Sequence, residues 1–383
     1  MTPEAPVLKD VVLVGAGHAH IAVLRSFGMR PLPGVRLTLV TREVETPYSG
    51  MLPGLIAGAY SFDEAHIDTA PLARFAGARL YRDEMIGLDL AQRHVICRNR
   101  PPIPYDILSL NIGSRPNTTD VPGALEQAIP VKPIDGFLRR FETMRGDILA
   151  RGGAARIALV GAGAAGVELI LSIERRLRRD LQAAGHDPAA LSLTLISRSD
   201  KILPTFSPAM RRAFEAELCA RGIAVRTGAS AVGVTNGRIT LADGDTVAAD
   251  HVLWATAAAA PHWLKDTGLA LSPDGILRVD ATLRAVGHDD IFAAGDVAAF
   301  DPRTLPRSGV YAVRAGPVIA GNIRARLTGE ALKPFRPQRD ALALLSTGDG
   351  RAVGARNGLT FAGRWVWRWK DRIDRRFIAR ATC

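Results

Sequence analysis

Thiols are scarce in this chain of 383 residues: Cys97, Cys219 and Cys383 lie far apart and form no CxxC or CxxxxC pair. That spacing excludes a disulfide framework and a zinc site, leaves no metal centre to expect, and fits a reducing, cytoplasmic compartment. No uncharged apolar run reaches the roughly 18 residues a membrane-crossing helix needs. Low-complexity segments are absent. The opening MTPEAPVLKD, with an acid and two prolines ahead of a strand, does not read as a signal peptide. Lysine is rare as well, only six of the 49 basic residues, yet the net charge is +11. Arg-favouring codon usage explains part of that excess. An anionic membrane surface or non-specific nucleic-acid contact are the functional readings, with no sign of specific nucleic-acid recognition.

What is present is an ordinary globular composition, 47% hydrophobic and 23% charged, long enough for two domains or more. The apolar run Val11-Val12-Leu13-Val14 breaks into Gly15-Ala16-Gly17-His18-Ala19-His20, continues as a helix to about Phe27, and turns at PLPG into the alternating strand Val35–Val40. The pattern returns about 145 residues later, with Ile157–Val160, Gly161-Ala162-Gly163-Ala164-Ala165-Gly166, an Arg-rich helix and the strand Leu193–Ile196. Two β-turn-α-β units predict an α/β protein with two Rossmann-like nucleotide-binding domains.

Glycine turns of this kind let a backbone approach a pyrophosphate while the helix N-terminus presents free N–H groups to it. The second copy is a full GxGxxG, so Gly161, Gly163 and Gly166 are candidate contacts. The first supplies Gly15 and Gly17, with His20 in the third glycine's place, its ring expected to point along the helix or toward the ligand. His18 and His20 do not share a helix face, which argues against a metal pair. The acid that usually bonds a ribose hydroxyl is missing from both copies. Thr41-Arg42 and Ser197-Arg198 stand there, so the second site admits NADPH as well as NADH.

Further motifs carry a resemblance. YDILSLNIGSRPN at 105–117, DHVLWATAAAAP at 250–261 (with Ala257 in a glycine's place) and DDIFAAGDVA at 289–298 resemble segments of the two-dinucleotide-binding-domain flavoproteins, the pyridine nucleotide-disulfide oxidoreductase superfamily. GAGAAGVEL, ILPTF and WKDRIDRRF look like the type II NADH dehydrogenase-like branch. TPYSGMLPGLIAG, GVYAVRAGPVIAGN and LLSTGDGRA are most similar to the oxidoreductase module found ahead of selenide, water dikinase.

The resemblance implies a fold of the glutathione reductase type. Residues 1–119 and 266–325 would bind FAD, 120–265 would bind NAD(P)H, and 326–383 would form a C-terminal segment with an amphipathic helix. FAD would rest on Gly15, Gly17, His18, His20, Thr41, Arg42, Ser49, Gly113, Gly295 and Asp296, the last bonding its ribityl and phosphate part. NADH or NADPH would use Gly161, Gly163, Gly166, Glu168, Ser197 and Arg198, with Glu168 on the nicotinamide side. Tyr48, His20, Lys132 and Glu168 are candidates for flavin tuning. Hydride passes directly between rings, so no covalent nucleophile is implied.

Electrons must then leave the flavin. Relatives that reduce disulfides carry a cysteine where Ser49 stands, and a serine oxygen cannot do that chemistry. A quinone, another diffusible oxidant or a protein remains. GVYAVRAG lacks the glutamines that line the quinone in type II dehydrogenases. Oxidation of a sulfur or selenium compound is the alternative, and a non-catalytic FAD protein docking on nucleic acid or a partner is the alternative of another class.

The last helix bears on the choice. Val366, Trp369, Ile373 and Phe377 recur on one predicted face, and Arg364–Arg380 holds seven basic and two acidic residues. Tryptophan with arginine on such a helix suits peripheral binding at the inner face of a membrane. Packing on its own protein, or in a homodimer, is the competing expectation.

Overall fold

The computed structural model describes residues 6–116, 120–256, 258–338 and 341–382. Ala257 and Cys383 lie outside the described residues. The chain runs from β1 (Lys9–Val14) through α1 (His18–Met29), β2 (Val35–Thr41) and α2 (Leu52–Ala57) to β3 (Arg79–Arg82) and β4 (Ile107–Leu110). The second unit comprises β5 (Ala128–Pro130), α3 (Ile134–Ala150), β6 (Ala155–Val160), α4 (Ala164–Ala183), β7 (Leu191–Ile196), α5 (Pro208–Ala220), β8 (Ala224–Arg226) and β9 (His251–Trp254). The chain returns with β10 (Ile291–Ala293) and α6 (Gly309–Thr328). It continues through β11 (Ala343–Ser346), β12 (Ala352–Arg356) and β13 (Leu359–Gly363) into α7 (Arg364–Ala381).

Two five-stranded parallel sheets result, ordered β10-β4-β1-β2-β3 and β5-β9-β6-β7-β8. Their central strands are apolar along their length because both faces are covered: Val11, Val12 and Leu13 are fully buried, as are Ala158 and Leu159. The first core gathers around β1 and β4, the second around β6 and the inner face of α3. Phe137 and Phe141 of α3 are buried there, each contributing roughly 1.5–3 kcal/mol. In both sheets the strand order reverses beside the first strand, between β1 and β4 and between β6 and β9. Ligands of open α/β sheets bind in crevices at such points, beyond the strands' carboxyl ends.

His20 departs from its expectation. Its ring turns inward, fully buried, with Nδ1 2.6 Å from the Gly15 carbonyl oxygen and Nε2 2.8 Å from Ser109 Oγ. A carbonyl only accepts, so Nδ1 carries the proton and the Ser109 hydroxyl donates to Nε2. Burial pushes the imidazole down to about 4, which keeps it neutral. With both nitrogens engaged by the protein, His20 supports the glycine turn from beneath and makes no direct contact with a ligand.

The antiparallel strands β11, β12 and β13 lead into α7, whose buried row coincides only in part with the apolar stripe read from periodicity. The buried row is Val366, Lys370, Asp374 and Ala381, while Ile373 is 39% exposed and Trp369 and Phe377 are partly buried. A polar anchor sets this orientation. The Lys370 ammonium donates to the Gly50 carbonyl and, at 2.6 Å, to Asp374, both side chains being almost wholly covered. Arg375 adds a 2.8 Å pair with Glu64, and Trp367 stacks on Tyr60.

Removing one member of a buried ion pair strands the other charge, at a cost of about 3–5 kcal/mol. Asp374→Ala should therefore lower the unfolding free energy by that order in urea titrations. A Lys370→Met/Asp374→Leu double variant should recover most of it.

Candidate active site

The crevice of the first sheet opens where β1 ends. Gly15 has φ +87°, and a Cβ there or at Gly17 would collide with Asn111, the first residue beyond β4. Asn111 ties the crevice together: Oδ1 accepts the Ala19 N–H at 3.0 Å, and Nδ2 donates to the Ala294 carbonyl at 2.6 Å. The N-cap of α1 is Gly17, which has no side chain to cap it, and the first turn holds no acid, so apart from the Asn111 bond the helix's positive end faces the crevice with no countercharge of its own. Gly113, at φ +71°, has open space before it.

Asp296 enters from the return strand, after Gly295 at φ +76°. Its Oδ2 accepts from Ser114 Oγ at 3.0 Å and from Lys132 Nζ at 2.5 Å. Burial opposes the charge, but Lys132 and Ser114 outweigh it and hold the carboxyl below the usual carboxylate range. Lys132 thus belongs to the crevice.

Three aromatic rings from distant segments meet beside it. His18 lies edge-on to Tyr48 with centroids 5.3 Å apart, and Phe377 of α7 is 5.5 Å from His18 and 4.7 Å from Tyr48. Burial, then the contact with Asp374, raises the Tyr48 phenol's pKa, so it stays protonated and hydrogen-bonds that carboxylate. Burial pushes His18 down to about 4, Asp296 opposing and Lys132 adding to the shift. Ser49 is half-buried in the same turn, beside Gly309 at the start of α6.

The second crevice repeats the design. Gly161 has φ +117°, and a Cβ on it would meet the Ala255 carbonyl; one on Gly166 would meet the Gly161 carbonyl. Gly163 has open space before it, and α4 begins uncapped with no acid in its first turn. Thr256 Oγ1, in the turn after β9, is buried without a partner. Where a Cβ is forbidden and a helix end is bare, a phosphate fits, and both crevices have the stereochemistry for a dinucleotide.

The residues at the second-strand ends are turned to their own backbone. Thr41 Oγ1 donates to the Glu43 carbonyl at 2.8 Å and Ser197 Oγ to the Lys201 carbonyl at 3.3 Å, while Arg42 and Arg198 are exposed.

Glu168 sits on the inner face of α4, facing the C-terminal segment. Its Oε1 accepts the Ser346 N–H at 2.7 Å. Burial pushes its carboxyl up to about 7, with Lys370 and the Ser346 bond pulling the other way. Cys97 is buried and its thiol raised to about 11, chiefly by burial, so it offers no thiolate. Asn111, Lys370 and Asp374 went unread as site residues in the sequence, and Phe377 was read there only as part of the apolar stripe of the last helix. Asn111 had a faint signal as a polar residue ending an apolar strand. The Lys370–Asp374 pair had none, since i,i+4 charges on a helix normally face water.

Glu168 has a stability consequence whose sign is definite. Its folded pKa lies above the unfolded value, so its protonated form favours folding below pH 4.5 and that contribution is lost as pH rises through about 7. Glu168→Gln keeps an acceptor for Ser346 and removes the titration. The variant should gain on the parent between pH 5 and pH 8, by on the order of 3 kcal/mol, in urea unfolding at the two pH values.

Comparison with known proteins agrees with this geometry. NADH dehydrogenase-like protein Rv1812c of Mycobacterium tuberculosis (strain ATCC 25618 / H37Rv) is 32% identical over 228 residues, 58% of this chain and only 56% of that protein's length. The type II NADH:quinone oxidoreductase of Haemophilus influenzae is 27% identical, covering 94% of this chain and 91% of its own. The structure of NDH2 from Plasmodium falciparum in complex with NADH superposes with a TM-score of 0.79 at 15% identity, over 97% of each chain, and shares the fold. The family model for pyridine nucleotide-disulphide oxidoreductases matches residues 9–316, both sheets and both glycine turns included, and the chain belongs to that family.

Proposed function

We propose that the chain is an FAD-dependent NADH:acceptor oxidoreductase that passes electrons to a quinone and works at a membrane surface. The observation that carries the reading is the pair of glycine crevices with bare helix ends, one per sheet, and no cysteine thiol among the groups described at either. The domain limits follow the sheets: 1–119 with 266–325 around FAD, 120–265 around NADH, and 326–383 as the C-terminal segment.

FAD, when bound, supplies the redox chemistry, taking hydride from the reduced nicotinamide and yielding two electrons to the acceptor. The chain's own part is placement. Gly15 and Gly17, with the start of α1, hold one pyrophosphate, and Gly161, Gly163 and Gly166, with the start of α4, hold the other. Asp296 accepts from a ribityl hydroxyl, and Lys132 keeps it ionised for that task. Tyr48 and Phe377 wall the far side and exclude water. Exposed Arg198 offers a partner to a 2′-phosphate, which keeps NADPH beside NADH as donor.

Membrane contact rests on the outer side of α7. Trp365 is 56% exposed and stacks with Phe361 at 5.4 Å and Trp369 at 6.4 Å, with Arg364, Arg368, Arg372 and Arg376 around this row. Such a surface matches headgroups and anionic lipid. Among the described residues no helix is long and apolar enough to cross a membrane.

Anaerobic titration of the flavoprotein tests the redox reading. NADH should bleach the oxidised-flavin band, and a quinone analogue should restore it; absence of bleaching by either nucleotide defeats the proposal. Vesicle sedimentation tests the surface. Arg368→Gln/Arg372→Gln should weaken binding to anionic vesicles by about 2 kcal/mol, at about 1 kcal/mol for each basic residue. A parent that ignores vesicles and dimerises in solution would assign the aromatic row to a second copy instead.

A further inference from the structure

The adenosine ribose of a dinucleotide meets a Rossmann-like sheet at the end of the second strand of its β-turn-α-β unit. The residues there decide between a free 2′-hydroxyl and a 2′-phosphate. The two crevices differ at this place. In the first, β2 runs into Thr41-Arg42-Glu43, and Arg82, the register partner of Thr41, pairs with Glu43 at 3.0 Å. An acid stands two residues past the strand and occupies the neighbouring guanidinium. In the second, β7 runs into Ser197-Arg198-Ser199, a stretch with no acid.

That stretch is strapped to the next strand. Ile196 and Arg226 are register partners, and the Ser197 N–H donates to the Arg226 carbonyl at 2.7 Å. The Ala229 and Gly228 N–H groups donate to the Ser197 and Ser199 carbonyls, each at 2.8 Å. Arg198 and Arg226 therefore stand on adjacent, fixed segments, both exposed. Among the described residues, the Arg198 guanidinium and the Ser199 hydroxyl have no partner. Arg226 meets only Asp245, at 3.4 Å, with side chains 52% and 63% exposed. A pair so open to water is weak and exchanges readily for a better acceptor. Asp200 is more exposed still and lies 4.0 Å from Lys201.

A phosphate monoester brings close to two negative charges and three acceptor oxygens. A planar guanidinium engages two of those oxygens at once, and a second guanidinium with a hydroxyl completes the set. We propose that Arg198, Arg226 and the Ser199 hydroxyl hold the 2′-phosphate of NADPH, and that the second crevice takes NADPH in preference to NADH. The inference rests on the hydride-donor reading above and names the donor within it.

The test bleaches the flavin of the holoenzyme anaerobically with NADPH and with NADH, in the parent, Arg198→Gln, Arg226→Gln and the double variant. The readout is the ratio of the second-order bleaching rates, NADPH over NADH. The parent ratio should be about ten or more, and each single variant should lower it about tenfold, as loss of a hydrogen bond to a charged group does. Added NaCl should slow the NADPH reaction more steeply than the NADH reaction, because the clamp is exposed. A parent ratio at or below one overturns the proposal. So does an equal loss with both donors in the variants, which would make the two arginines mere supports of the strand end. Bleaching by NADH alone defeats this inference and leaves the oxidoreductase reading standing; bleaching by neither nucleotide defeats both.

Discussion

The first crevice depends on one amide. Asn111 stands between two glycines that have no room for a Cβ, accepts from the first turn of α1 and donates to the segment that carries Asp296. Three stretches separated by 92 and 183 residues are thereby held at hydrogen-bond distance around one opening. In a buried setting such a link is costly to lose, because the Ala19 N–H and the Ala294 carbonyl would be left unsatisfied. The second crevice closes glycine against backbone, at Gly161, Ala255 and Gly166.

The contrast explains what could be read in advance. A glycine turn between an apolar strand and a helix is a local pattern, and both turns stand where the sequence put them, as do the two parallel sheets. The direction of the His20 ring is not local, since it is set by Ser109, 89 residues away. The inner face of α7 is likewise fixed by Gly50, 320 residues back, which overrode the apolar stripe that periodicity alone suggested. Glu168 was visible as part of a motif, but its environment is made by Ser346 and Lys370 from the C-terminal segment. Chemistry that arises between distant segments leaves little trace in spacing.

Much of the arginine excess also acts inward. Arg176 and Arg145 converge on Asp180 at 2.7 and 3.0 Å, while Arg176 and Arg179 reach the last carbonyls of α2 at 3.4 Å. Planar, multi-donor guanidinium groups suit this clamping better than lysine would. Arg176 and Arg179 of α4 thereby join the second unit to α2, the helix that follows the turn bearing Tyr48. Arg364, Arg368, Arg372 and Arg376 of α7 face solvent around the row of Trp365 and Trp369.

The anchoring of α7 by Lys370 and Asp374 has a kinetic corollary. One side of that helix meets the turn at 47–51 and supplies Phe377 to the aromatic wall, while the other side presents tryptophan and arginine. A helix so placed on a lipid leaflet would put the doorway of the crevice at the leaflet itself. An oil-soluble oxidant would then arrive by diffusion in two dimensions, and turnover would follow its mole fraction in the leaflet and not its concentration in the surrounding buffer.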